Sequence, residues 1–389
     1  MRRALIANLV VVFALLTPAA VLAQSEPAVP LLGNSGLGRP VQPLDARARG
    51  MGGAAVALHG ANLSLVNPAS MQGLAVSGVW VTFMPESRTV NGVVARGEIH
   101  TADFPLARMV IPFRDVWAVG VGFGSYLNQD WNVQFVDTLQ LSTGPVAFQE
   151  TRTSSGGISQ LHVDVARRVS ETWSLGLGGI YYFGKTALTV ERAFASDANF
   201  RGYLATDGIK YDGWGVVLGT EWQPIPEMIV GLAGTWGAGL HLEADSSGAQ
   251  KEFDQPFAID LGASWRLTPD FTLALASGWT RWSTISDDLP KPGASDNWRF
   301  ALGSELRLLS NQSTRVDGRL GGRLEQLPFR LRRGAPWERA LSLGLGTMFR
   351  GGLGRIDLAY EIGKRGQKDT NEVEETFSRW TITLSVFSR

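Results

Sequence analysis

The chain has 389 residues with 36 basic and 36 acidic side chains, no cysteine, 46 glycines and 13 tryptophans. A balanced charge leaves no electrostatic footprint for nucleic acid, and the lack of cysteine excludes disulfides, thiolate metal sites and thiol catalysis. Beyond the N-terminus no run is long and uncharged enough for a membrane helix, which excludes a helical membrane protein.

The N-terminus reads as a bacterial secretory signal. Arg2 and Arg3 supply the positive start, residues 4–16 are apolar except Asn8, and Val21, Leu22 and Ala23 form a small-x-small cleavage site. Residues 1–23 are therefore expected to leave, with Gln24 as the mature start. Loss of the two arginines leaves a slight excess of acid.

Residues 24–73 read as a plug. Within them, ARARGMGGAAVALHGANLSLVNPAS at 46–70 has four glycines, seven alanines and no alternation. Glycines 50, 52 and 53 permit backbone shapes and close approach that a side chain blocks. Pro68 restricts Asn67 to extended conformations. Gly50, Met51, Gly52, Gly53, Asn67, Pro68 and Ala69 are the hatch candidates, with a structural role as the default and gating as the sharper reading.

Residues 74–389 alternate. In WAVGVGFG at 117–124 the large residues Trp117, Val119, Val121 and Phe123 share one face, and alanine and glycine share the other. The same pattern recurs at 173–178, 271–276, 341–346 and 380–386. A soluble sandwich would carry a charged solvent face. Here the second face is small, as in a barrel with lipid outside and a tight interior.

About fourteen antiparallel strands are expected, near 74–84, 103–113, 116–126, 157–168, 173–184, 208–222, 226–240, 252–267, 271–282, 297–307, 313–325, 339–350, 353–363 and 376–387. A hairpin within 131–150 would make sixteen. Short turns at 114–115, 170–171, 224–225, 268–270, 310–311 and 351–352 each follow an even-numbered strand. Most connections after odd-numbered strands are longer, as at 185–207 and 283–296. Short periplasmic turns alternating with long outer loops mark a transmembrane β-barrel, with both chain ends on the periplasmic side. Trp117, Trp173, Trp222 and Trp265 fall beside short turns, and Trp279, Trp282 and Trp298 beside a long loop, which suggests two aromatic girdles.

With large apolar residues facing lipid, a set of charges faces inward. These are Arg299, Glu305, Arg307, Arg315, Asp317, Arg319, Arg323, Glu325, Asp357, Glu361, Asp260, Arg266, His162 and Asp164. Opposite charges on neighbouring strands pair. The preferred reading is a lattice that stiffens the barrel and holds the plug, over a ladder that conducts substrate.

Several stretches resemble the FadL-type family of outer-membrane transport proteins for long-chain fatty acids and other hydrophobic compounds. SGLGR at 35–39 with NPA at 67–69 resembles its N-terminal hatch. QPFAIDLGASWRLTPDFTL at 255–273, with WTRWS at 279–283, resembles a late hairpin, and residues 353–365 resemble a penultimate strand. PorV-type barrels, which act in protein secretion and surface attachment, are a related branch that GMGG at 50–53 with NPA also fits. The final strand departs from the usual ending, because Phe387 is out of phase with Ile382, Leu384 and Val386.

The resemblance implies uptake of a hydrophobic molecule through a hatch-gated barrel in a Gram-negative outer membrane. A secretion scaffold is the alternative. It also implies membrane lipids, barrel-assembly machinery and periplasmic chaperones as partners, and no cofactor. A greasy molecule gains about 0.8 kcal/mol per buried CH₂. A carboxylate head would need a basic partner near the rim, for which Lys185, Arg192 and Arg201 in the loop 185–207 are the candidates. No enzyme is expected. GMGG and the glycines at 36 and 38 lack the strand–turn–helix context of a phosphate loop. The four histidines lack metal-ligand spacing. Ser159 and His162, the nearest such pair in sequence, lie on opposite strand faces.

Overall fold

The computed structural model describes residues 36–92, 96–142, 144–194, 200–289, 293–330, 334–349 and 352–388. The expected signal at 1–23, and the hatch up to residue 35, lie outside them. Among the described residues seventeen strands form: β1 (Arg39–Pro40), β2 (Gly78–Gly92), β3 (Arg96–Phe113), β4 (Trp117–Asn128), β5 (Trp131–Leu141), β6 (Gly144–Arg168), β7 (Trp173–Phe194), β8 (Tyr203–Ile225), β9 (Met228–Ala244), β10 (Gln250–Phe253), β11 (Ala258–Thr268), β12 (Phe271–Thr280), β13 (Asn297–Ser310), β14 (Arg315–Gln326), β15 (Trp337–Phe349), β16 (Gly354–Arg365) and β17 (Val373–Phe387).

Fourteen of them close a barrel in which each strand is antiparallel to its neighbours. The last strand returns to the first, β17 on β2, from Val373 opposite Gly92 to Phe387 opposite Gly78. β4 pairs directly with β6 over residues 117–128. The 131–150 hairpin does form, as β5 against the first half of β6. It stands above the wall and adds no barrel strand, so sixteen is excluded.

The short turns gather at one end with the closure of the barrel, where the Ser388 N–H donates to the Ser77 carbonyl. In the first turn Arg114 (φ 51°) and Asp115 (φ 56°) are both left-handed, the backbone a tight hairpin requires. At the other end the strands run further than alternation suggested. β7 continues to Phe194 and β8 begins at Tyr203, so the segment 185–207 is mostly strand, not loop. Beyond the membrane a strand needs no lipid-facing row, and the large/small contrast fades while pairing continues. The expected strand 252–267 is split into β10 and β11 around Pro256, which cannot donate to a ladder.

The outward face is a continuous apolar surface, with Leu175, Leu177, Val216, Leu218, Leu275, Leu302, Leu341 and Leu343 all exposed. Trp173 stacks on Trp222 at the short-turn end (5.8 Å between centroids). At the other end Trp236, Phe257, Trp279, Trp298 and Phe300 touch in sequence around the wall. From Trp173 to Phe183 a strand climbs about 33 Å, or about 25 Å along the axis when tilted as in such barrels, the height of their apolar band. Trp282 does not belong to this belt. It is buried at 4% exposure against Phe329, inside the outer opening.

Residues 36–77 run inside the barrel. They contain one short helix, α1 (Ala46–Gly50), capped by the Asp45 carboxylate on the Ala48 N–H, and a 3-10 turn (Pro68–Gly73). Two apolar clusters fix them to the wall. Leu44, Met51, Val56 and Leu58 meet Ala274, Ala276 and Ala301. Leu63, Leu65 and Met71 meet Trp80, Leu106, Val110 and Phe387. The phase break at Phe387 thus turns its ring inward onto this segment.

Candidate functional site

The internal segment seats on the wall where the inward face is glycine. A Cβ on Gly303 would stand 2.4 Å from the Met51 carbonyl oxygen, on Gly321 2.1 Å from the Gly52 nitrogen, and on Gly219 2.1 Å from Asn67 Oδ1. Gly52 (φ +71°) and Gly53 (φ +93°) are left-handed, which disfavours a side chain at both; at Gly52 space excludes one too, since a Cβ would stand 2.4 Å from the Gly322 carbonyl oxygen. The Gly52 N–H donates to Ser342 Oγ (3.1 Å), whose hydroxyl donates to the Gly50 carbonyl (3.2 Å). Asn67 is extended (φ −127°, ψ 109°) before Pro68. Its Nδ2 donates to the carbonyls of Val56 (3.0 Å) and Thr220 (3.1 Å), and its Oδ1 accepts from the Ala69 N–H. NPA is therefore a staple between the segment and β8.

Charges fill the opposite wall. Glu305 takes both Arg47 of α1 (2.8 and 2.7 Å) and Arg319 (2.7 Å), and Arg319 continues to Asp357 (2.7 Å). Arg323 holds Glu361 (2.8 Å) and Glu338. Arg315 holds Asp317 (2.8 Å), and Arg299 holds Asp260. These inward-facing charges are thus paired with one another. Sequence reasoning missed the other half of the set: Glu86, Glu338, Arg365 and Arg379. Glu86 alone accepts from Arg365 and Arg379. Arg365 shares the inward phase of Asp357 and Glu361, and Arg379 that of Thr381 and Thr383, so the signal was present. Also missed were Arg47 and Arg49 within the segment. Burial pulls the Arg49 guanidinium down to about 9, against the attraction of Glu361.

Above the segment lies a cavity of about 140 Å³. Val41, Leu65, Val66, Tyr126, Ile180, Tyr182 and Trp282 form its apolar surface. Gln160, His162, Asn297 and the Arg299–Asp260 pair form a polar side. Tyr126 and Tyr182 meet at 4.7 Å. An apolar cover of Leu37, Leu127, Phe253, Ile285, Leu289 and Phe329 closes the outer opening above.

The three head-group candidates do not converge and none lines this cavity. Lys185 faces outward on β7 and pairs with Asp245 (2.5 Å). Arg192 is held by Glu150 over the Phe148 ring. Arg201 is exposed, without a side-chain partner among the described residues. Ser159 and His162 lie on opposite faces of β6, and no metal-holding group of His, Asp and Glu occurs among the described residues.

The family model BamG matches residues 5–229, more than half of the sequence. The chain belongs to the BamG family. No curated protein matches this BamG-family chain. Among solved structures it is similar to a Pseudomonas aeruginosa FadL homologue (15% identity, TM-score 0.63), covering 90% of this chain and 99% of that one. It is also similar to the Ralstonia pickettii toluene transporter TbuX (14%, TM-score 0.62, covering 90% and 99%) and the Pseudomonas putida toluene transporter TodX (15%, TM-score 0.59, covering 90% and 98%). At these identities the likeness establishes the fold.

Proposed function

We propose that this BamG-family barrel takes up compact hydrophobic molecules across the outer membrane, with residues 24–73 as its hatch. The observation that carries the reading is the cavity beneath the outer cover. Its volume is close to the ~150 Å³ of an apolar protein cavity that holds benzene. A long acyl tail would have to extend beyond it, so a ring-sized cargo fits better than a fatty acid. Similar barrels that transport toluene support this size class. Lys185, Arg192 and Arg201 have no part in the reading.

The exit we propose is sideways. β3 and β4 pair only from Ala107 opposite Phe123 to Phe113 opposite Trp117, although β3 continues to Arg96. Pro105, which cannot donate, marks the parting. Asp103 on β3 closes it by taking Arg39 (3.2 Å) and Asn128 (2.9 Å). Asp103→Asn is expected to speed entry of toluene into cells or proteoliposomes, and Ile180→Trp, which fills the cavity, to stop it. Equal rates in all three proteins would sink the proposal.

A second reading is a scaffold in barrel assembly or secretion, with surface proteins as partners. The family name suggests it, and the outward extensions of β5–β10 provide a sheet standing clear of the membrane.

A further inference from the structure

Below the internal segment, on the short-turn side, lies a cavity of about 650 Å³, within the range of small-molecule sites. Four arginines (Arg47, Arg266, Arg307 and Arg315), three carboxylates (Glu227, Asp270 and Glu305) and His59 line it. The uptake reading makes no use of it.

Its charges are unevenly spent. Glu305 is shared by Arg47 and Arg319, both buried. Arg315 is taken by Asp317 (2.8 Å). Arg307 has one partner, the exposed Asp270 (3.0 Å), and its buried Nε–H has none. Arg266 lies on the inward phase of β11 with Asp260, Gly262 and Ser264, and no carboxylate lies within ion-pair distance of it among the described residues. Glu227 likewise makes no ion pair; its carbonyl accepts from the Arg266 N–H (2.7 Å) and pairs with the His59 ring (2.9 Å).

We infer that this vestibule is a binding site for a small oxyanion, a carboxylate or phosphate group, held by Arg266 and Arg307. A guanidinium matches such groups with paired N–H donors, and Arg266 and Arg307 both line this cavity with donors left over. A bound anion stands beside Arg47, which also holds the carbonyls of His59 (2.9 Å) and Ala61 (3.1 Å). Occupancy and the seating of the segment are therefore coupled, and the coupling runs both ways. The inference stands independently of the uptake reading, because its residues are not those of the upper cavity.

The test is titration of the intact barrel, in mild detergent, with inorganic phosphate, acetate and octanoate, followed by calorimetry and by ³¹P line width. The site predicts saturable binding that weakens at least about ten-fold in Arg266→Gln, a loss of ~1.4 kcal/mol, and disappears in Arg266→Gln/Arg307→Gln. Because Arg266 is exposed and unpaired, the single variant keeps the fold, checked by heat-modifiable gel mobility. Arg281→Gln, exposed and beyond the opposite end of β12 from the cavity, should bind as the parent does. Octanoate binding well above acetate identifies an amphiphile's head group, and equal binding of phosphate and acetate a free oxyanion. No saturable binding, or binding unchanged in Arg266→Gln and in the double variant, overturns the inference.

Discussion

Gly176 faces Ala69 so closely that a Cβ at 176 would lie 2.4 Å from the Ala69 nitrogen. Gly179, three residues along the same strand, faces outward with nothing within 4 Å of such a Cβ. The pair separates a steric effect on the internal segment from a general cost of removing glycine. Gly176→Val should unseat the 3-10 turn and raise single-channel conductance in planar bilayers. Gly179→Val should leave conductance at the parent level. Equal conductance in both variants would mean that the segment does not set the pore.

Glu305 joins the segment to the wall through Arg47 and the lattice through Arg319. Glu305→Gln leaves two buried guanidinium groups short of charge, and breaking such a buried pair costs about 3–5 kcal/mol. The expected result is a lower unfolding midpoint in urea and greater conductance. Restoring balance with Arg47→Met in the same chain should recover part of the loss. A double variant no better than the single would show that the two residues are not coupled.

His59 makes the seating pH-dependent. Burial lowers its pKa from the ordinary 6.5, the Glu227 carbonyl opposing. The seated segment therefore binds this proton more weakly than the unseated one. Seating is fully favoured above pH 6.5 and weakens as pH falls below it. Hydrogen exchange over residues 55–64, corrected for intrinsic rate, should speed up between about pH 8 and about pH 5. His59→Gln should flatten that dependence. A profile unchanged by the substitution would assign the effect to another group.

Asn67 makes three hydrogen bonds at one point between segment and β8. Asn67→Ala leaves two carbonyls and one N–H without these partners, at about 1–3 kcal/mol for each group that stays buried and unpaired. Faster proteolysis of the segment in the folded barrel is the expected sign. Unchanged proteolysis would show that the staple is dispensable.

The wall was legible because lipid imposes a strict alternation on it. All fourteen strands were located, and WAVGVGFG at 117–124 alone shows both faces. Outside the membrane that constraint lapses, which hid the extensions of β6, β7 and β8. Glycine marked the contact surfaces, but the sequence could not say that Gly303 meets Met51, because the match depends on how far the segment descends. The lattice was half legible. Charges on strands rich in charge stood out, whereas Arg379 sits among apolar residues and serines, and Glu86 lies beyond the expected end of its strand. The placement of the head-group candidates was not legible, because a basic residue read as part of a loop carries no direction. Once Lys185 is on β7, its phase turns it outward.

The most direct test of a ring-sized binding site is anomalous diffraction from crystals soaked in iodobenzene. The account predicts an iodine peak among Val66, Tyr126, Ile180, Tyr182 and Trp282, absent in Ile180→Trp. Iodine confined to the outer lipid-facing surface, with the cavity empty, would contradict it.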